Sequence, residues 1–373
     1  AQVLFENAAA GAVAGTLSST SDDPNATFTY TLVNGAGDTD NGSFAITGNQ
    51  LATTAPLNFE QKPSYKVRVR STTQHGLSLD KELTIELSDV NEQPTLADMG
   101  NQVICYTTSE QVISIGGISA GPDANQETTL TVSSTNNALF ESLEVTPANG
   151  SGNAAVKYKI TDGAFGSAVI NVMVMDNGGT AHNGINTILK SFILQVNQLP
   201  SVSISSDKGL ELSKGEIAVL KANVTGGNSG LIYSWSNAAG ILSGQNTQNL
   251  TVRPSESTTY KVTVTNANGC SVTQEIAIGV NADYKVVNGT NIISPNGDGV
   301  NDNLVIRNLD MYPKNEVKIF DRAGRLIYSQ KNYTDQWDGT LNGSQLAEDT
   351  YYYVVDFGPG IEKIKGFISI VRD

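Results

Sequence analysis

Apolar and polar residues alternate with a period of two along most of this 373-residue chain. Thr27 to Val33 (TFTYTLV), Ser43 to Thr47 (SFAIT), Tyr65 to Ser71 (YKVRVRS) and Glu82 to Ser88 (ELTIELS) each switch character at every step. Side chains that alternate in this way suit a strand with one face on a core and the other in water. The pattern recurs in TLTVSS, VKYKIT, AVINVMVM and SFILQVN, then in IAVLKANV, LIYSWS, TYKVTVT and EIAIGV. Turn-forming clusters such as GAGDTDNG separate the runs. Towards the C-terminus, Val317 and Ile319 are predicted to face the same way as Tyr351, Tyr353 and Val355. The last run alternates Ile364, Gly366, Ile368 and Ile370, while Gly324 and Asp338-Gly339 mark turns. No window keeps apolar residues at i, i+3, i+4 and i+7 for several turns, so almost no helix is expected.

The predicted fold class is all-β, with four β-sandwich modules in tandem. The expected boundaries are 1–93, 94–197, 198–281 and 282–373, since the length suits domains of roughly 100 residues. The joins NEQPT, NQLPS and GVNADY are short, and Pro94 and Pro200 stiffen two of them by fixing φ.

Composition narrows the function. The net charge of −14 shows no basic face, which argues against a nucleic-acid partner. An acidic surface suits an extracellular protein that binds divalent cations. No stretch approaches 18 apolar residues, so no membrane helix is predicted. No signal peptide opens the chain, which is read as the C-terminal piece of a longer secreted protein. Cys105 and Cys270 fall in different modules, so a bridge between them is not expected and Cys270 is read as a sequestered thiol. His75 and His182 stand apart, without a motif that would build a Ser-His-Asp triad. Paired acids on loops are expected by chance among 37 carboxylates, so no enzyme is predicted.

In the first module, Glu6-Asn7 with Gly11, then Leu57-Asn58-Phe59-Glu60, then Asp89-Val90-Asn91-Glu92-Gln93-Pro94 occur in that order. The block resembles a cadherin repeat, whose PENxxxG, LDxE and DxNDN segments hold calcium against the next domain. The resemblance implies carboxylate ligands from Glu6, Glu60, Asp89 and Glu92, amide oxygens from Asn58 and Asn91, and the carbonyl of Val90. Asp123 and Asp176 are the acids it implies in the second module. Calcium takes 6–8 oxygen ligands, so such a set is chemically apt. Asn58 replaces the usual aspartate and lowers the site's charge. Thr73 stands where the family's strand-end acid would serve a junction with a preceding domain, so no calcium junction is expected there.

The second module resembles a bacterial immunoglobulin-like repeat over most of its length. The third resembles an Ig-like or PKD-like domain through YSWS followed by TYKVTVTNANGCS, with Trp235 expected in its core. In the fourth, Ser294, Asn296, Asp298 and Asp302 stand at positions 1, 3, 5 and 9 of a calcium-type loop, and Gly299 at position 6. Position 12 is Val305 rather than Glu, and a loop tied by its own side-chain hydrogen bonds is an equal alternative. SPNGDGVND, YPKNEVKIFDRAGRLIY, WDG, DTYYYV and KGFISI together make residues 285–373 similar to the gliding-motility-associated C-terminal domain, the type B sorting domain of type IX secretion. Asp321 and Ala323 depart from its usual FNRWG, and Asp349 from its usual GTYYY.

The resemblance implies passage through the periplasm and recognition at an outer-membrane type IX translocon, with a barrel-shaped docking partner. Edge-strand or loop recognition is the expected mode. The expected function is the stalk and sorting region of a large cell-surface adhesin, with gliding motility as one use, stiffened by calcium and with an unknown surface or glycan ligand bound through upstream modules. The alternative is a set of accessory modules for a secreted hydrolase whose catalytic domain lies upstream.

Overall fold

A computed structural model describes residues 3–227 and 229–372. The chain folds as two compact units, Ala1–Asn197 and Gln198–Asp373. Strands dominate both, and among the described residues the helical elements are four short 3-10 turns, such as Asn137–Leu139. The all-β prediction holds. The opening strand is Leu4–Phe5; Ala1 and Gln2 of its predicted start lie outside the described residues.

In the first unit, the N-terminal sandwich has one sheet in the order Leu4–Phe5, Ser78–Ser88, Ser64–Thr73, Phe28–Leu32. A second sheet, Val13–Thr16, Gln50–Thr53, Phe44–Thr47, lies across a core of Leu4, Phe44, Leu51, Tyr65, Val67 and Leu87. The next sandwich pairs Thr128–Ser134, Gly166–Asp176, Thr187–Asn197 and Gln102–Cys105 in one sheet. Phe140–Val145, Ala154–Ile160 and Gln111–Ile115 form the other. Alternation does what the pattern demands: Ala168, Ile170, Val172 and Val174 enter the core while the residues between them face out.

In the second unit, one sandwich packs around Leu220, Trp235, Leu250, Tyr260 and Val262. Trp235 is buried and its indole N–H donates to the Thr247 carbonyl at 3.0 Å, which satisfies the polar edge of the ring. The C-terminal module is a five-stranded sheet ordered Ile292–Ile293, Ile364–Ile370, Thr350–Asp356, Glu316–Phe320, Leu326–Lys331. Leu304, Ile306, Leu309 and Trp337, from short ribbons and loops, complete its core. Val317, Ile319, Tyr351, Tyr353, Val355, Ile368 and Ile370 all point inward, as their spacing predicts. The two cores of this unit are joined by Arg253. Its guanidinium donates to both Asp310 oxygens at 2.7 Å, to Asn308 Oδ1 at 2.7 Å and to the Gly215 carbonyl at 3.1 Å.

The same device recurs in every module: a short early strand runs parallel to the module's last strand. The pairs are Leu4 with Leu87, Gln102 with Leu194, Glu211 with Gly279, and Ile292 with Ser369. An early strand parallel to the last one lets the chain enter near one end of a sandwich and leave at the other. Cys105 and Cys270 are both disulfide-bonded, so the expectation of a sequestered thiol at Cys270 is corrected.

Candidate metal centre

The join between the first two sandwiches gathers acids from four separate segments. Parallel pairing of Leu4–Phe5 with the end of Ser78–Ser88 sets Glu6 beside the outgoing linker, where its N–H donates to the Ser88 carbonyl at 3.0 Å. Glu6 is only 2% exposed. Its two oxygens accept the Val90 N–H at 2.9 Å and the Phe59 N–H at 2.7 Å, so one carboxylate ties the strand, the linker and the 57–60 turn together. One oxygen each from Glu6, Glu60, Asp89 and Glu92 lie within 4.8 Å of one another.

The second sandwich completes the surround. Asp123 accepts the Glu92 N–H at 3.3 Å and the Gln126 amide at 2.9 Å through Oδ2. Asn91 is clamped by the 176–187 segment: its amide donates to Gly179 and Ile185 carbonyls, its carbonyl accepts the Ile185 N–H, and its Oδ1 accepts Gln126 Nε2 at 2.7 Å. Gly178 packs so tightly here that a Cβ would stand 1.8 Å from Asn91 Oδ1. Phe5 and His182 stack at 3.9 Å between centroids, a link between the sandwiches that the isolated position of His182 in the sequence did not reveal.

Several carboxylate oxygens at this join are buried and unpartnered. Glu92 Oε2, Asp123 Oδ1 and Asp176 Oδ2 are buried with no hydrogen-bond partner. A buried, unpaired carboxylate oxygen is costly. Partial burial, with the charges of Glu6, Glu92 and Asp123 added, pushes the Glu60 carboxyl up to about 7. Burial, the Asp123 charge and the Glu6 contact push Asp89 up to about 6. Glu92 is raised too, by burial first and then by Glu6, Asp123 and Asp89. An all-oxygen, carboxylate-rich donor set suits a hard divalent cation, whose charge would reverse each of these shifts.

Not every residue of the sequence prediction sits in this group. Asn58 Oδ1 accepts the Gln61 N–H at 2.6 Å and closes its own turn. Val90 contributes its N–H to Glu6. Asp176 is buried at a strand end, with Oδ1 accepting the Gly178 N–H at 3.0 Å. In the C-terminal module, Ser294, Asn296, Asp298 and Asp302 share one loop. Asp302 accepts backbone N–H groups of Asn296, Gly297 and Gly299 at 3.1, 2.8 and 2.8 Å. Those bonds hold its carboxyl below the usual range. Asp298 Oδ1 accepts the Val300 N–H at 2.7 Å, Asn296 Oδ1 the Asp298 N–H at 3.0 Å, and Ser294 Oγ donates to the Val300 carbonyl at 3.4 Å. This loop is tied internally by its own acids and amides.

Comparison with known proteins finds family matches for two stretches of the chain. Residues 287–370 match the family described as CHU_C Type IX secretion signal domain, and residues 217–280 match the PKD-like domain family. The chain is 37% identical over 121 residues to Protocadherin Fat 2 of Rattus norvegicus, which covers 31% of this chain and 3% of that protein. The mouse (Mus musculus) protein is 38% identical over 97 residues, 24% of this chain and 2% of the relative. The chain thus spans only a small fraction of the curated relatives it matches. Among solved structures, Drosophila N-cadherin EC1-4 aligns at 13% identity and a TM-score of 0.37, over 100% of this chain and 98% of that one. No helix among the described residues is long and apolar enough to cross a membrane. The assigned modules are not catalytic ones, and the C-terminal signal implies export to the cell surface or extracellular space by the Type IX machinery. A PKD-like stretch followed by a Type IX secretion signal domain, with part of the chain similar to protocadherins, supports this chain's being a region of a secreted surface protein.

Proposed function

We propose that this chain is the stalk and sorting region of a large cell-surface adhesin, in which calcium ties the first sandwich to the second. The observation that carries the reading is the convergence of Glu6, Glu60, Asp89 and Glu92 at a join whose neighbours leave buried carboxylate oxygens unpartnered. Glu6, Glu60, Asp89 and Glu92 would hold the ion, with Asp123 and Asp176 adding charge from the second sandwich. A bound cation would satisfy the orphaned oxygens, remove the mutual repulsion and lock the linker. A stiff join transmits force along a stalk, which is what a surface adhesin requires. Movement over surfaces is one use of such an adhesin. The C-terminal module is the part recognised by the outer-membrane translocon and a barrel-shaped docking partner.

Export is tested by fusing residues 282–373 to a periplasmic reporter in a cell that carries the Type IX system. The reporter is expected on the cell surface or in the medium, and without the fusion it stays in the periplasm. A fused reporter that stays in the periplasm contradicts the assignment of this module as a sufficient address.

A further inference from the structure

The outer face of the C-terminal five-stranded sheet breaks the polar-out rule in one row. Tyr352 pairs in register with Phe367 on one side and Phe320 on the other, and Phe320 pairs with Leu326. Their neighbours Tyr351, Ile319 and Ile368 point into the core, so these four share the opposite face. Leu326 is 56% exposed, Tyr352 49% and Phe367 48%. A sheet with one face in water ordinarily carries polar residues there, and a contiguous apolar strip on such a face marks a contact surface. Cross-strand aromatic pairing alone would stabilise the sheet modestly. That gain does not require four adjacent strands to be apolar in a single row.

Charge says what kind of surface fits. The next row along the sheet is Lys318, Val354, Lys365, again in register. Beyond Phe320 the hairpin carries Arg322 and Arg325, whose side chains are strongly exposed. Glu316, Asp321 and Asp349 each pair with one of these cations, at 3.0, 2.6 and 3.6 Å. Three of the four cations are thus paired and Lys365 is in none of these pairs, so in a chain of net charge −14 the border of this apolar row carries a small excess of positive charge.

We infer that this row is the face by which the export machinery reads the module, and that the partner is a protein surface with an apolar centre and a carboxylate border. Tyr352, Phe367, Phe320 and Leu326 fill the centre, as aromatic anchors do in protein interfaces. Lys318, Lys365, Arg322 and Arg325 orient the encounter. The inference rests on the Type IX reading, since every residue named lies within residues 287–370.

The test uses the full chain, tagged at its N-terminus and expressed with a leader in a cell bearing the Type IX system. The fraction reached by external protease is measured for four proteins. Wild type should be outside. Tyr352→Ser with Phe367→Ser should reduce the external fraction at least tenfold, and Lys318→Glu with Lys365→Glu several-fold. Val300→Ser with Leu341→Ser, exposed apolar positions elsewhere in the module, should leave export unchanged. The charge reversal touches no core residue, so it tests the face even where the serine pair lowers the melting temperature. Export of both face variants at the wild-type level overturns the inference while the Type IX reading stands. Normal export combined with lost retention on insoluble polysaccharide would make the row a glycan platform instead and also overturns it. Retention of wild type in the periplasm removes the Type IX reading and this face together.

Discussion

Stripping calcium from the Ala1–Asn197 unit is expected to lower its melting temperature and to reverse its response to pH. At a calcium concentration a hundredfold above Kd, linkage gives about 2.7 kcal/mol. For a unit of this size that is roughly 5–10 °C. The pH response follows from the metal-free acids. Glu60 and Asp89 titrate in the folded state near 7 and 6, above their ordinary values. Between about pH 4.5 and 7 the folded state therefore binds more protons than the unfolded one. Stability of the metal-free unit must then fall as pH rises through that window, and be greater at pH 5.5 than at pH 8. Calcium demands deprotonated ligands, so its added stability grows in the opposite direction, as pH rises. Asp89→Asn removes one of the repelling charges. It should leave the metal-free unit at least as stable as wild type at pH 8 and abolish the calcium shift. Thermal melts with calcium and with chelator, at two pH values, check all of these signs.

Gly366→Ala should be among the most damaging single substitutions in the Gln198–Asp373 unit. A Cβ at this position would stand 2.3 Å from the Tyr353 ring, and one at Gly289 would stand 2.7 Å from the same ring. Tyr353 lies across both glycines, and its hydroxyl accepts the Gly289 N–H at 3.0 Å. Buried on the inner face, the ring has no room to retreat. Overpacking of this kind costs up to about 3 kcal/mol, which lowers the melting temperature by roughly 6–12 °C. Tyr353→Val in the same chain should recover part of the loss, a coupling that a double-mutant cycle reads directly. If Gly366→Ala melts within a degree of wild type, the ring does not sit where the structure has it.

Strand positions were legible in the sequence because a period of two leaves a signature in every run. Val317 and Ile319 with Tyr351, Tyr353 and Val355 needed only that signature. The same alternation shows Gly366 at an inward position, yet not why it is glycine; the reason is a ring on a neighbouring strand. Tyr352 and Phe367 were also in plain view, as apolar residues at outward positions, and their alignment across strands depends on register. At the join, the order of Glu6, Glu60, Asp89 and Glu92 could be read, whereas their approach to within 4.8 Å depends on parallel pairing of Leu4 with Leu87. The stack of Phe5 on His182 and the Arg253–Asp310 pair escaped notice because each joins segments far apart in the chain. No local pattern records such a meeting. The disulfide-bonded state of Cys105 and Cys270 likewise leaves no local pattern in the sequence.

Calcium titrated calorimetrically into the full chain tests the account at its centre. Saturable binding is expected at pH 7.5, weakening as the solution is taken to pH 5.5 and lost in a Glu6→Gln, Asp89→Asn double variant that still melts cooperatively. No heat beyond dilution with wild type, or binding that the double variant retains undiminished, would contradict the claim that this join is built around a cation.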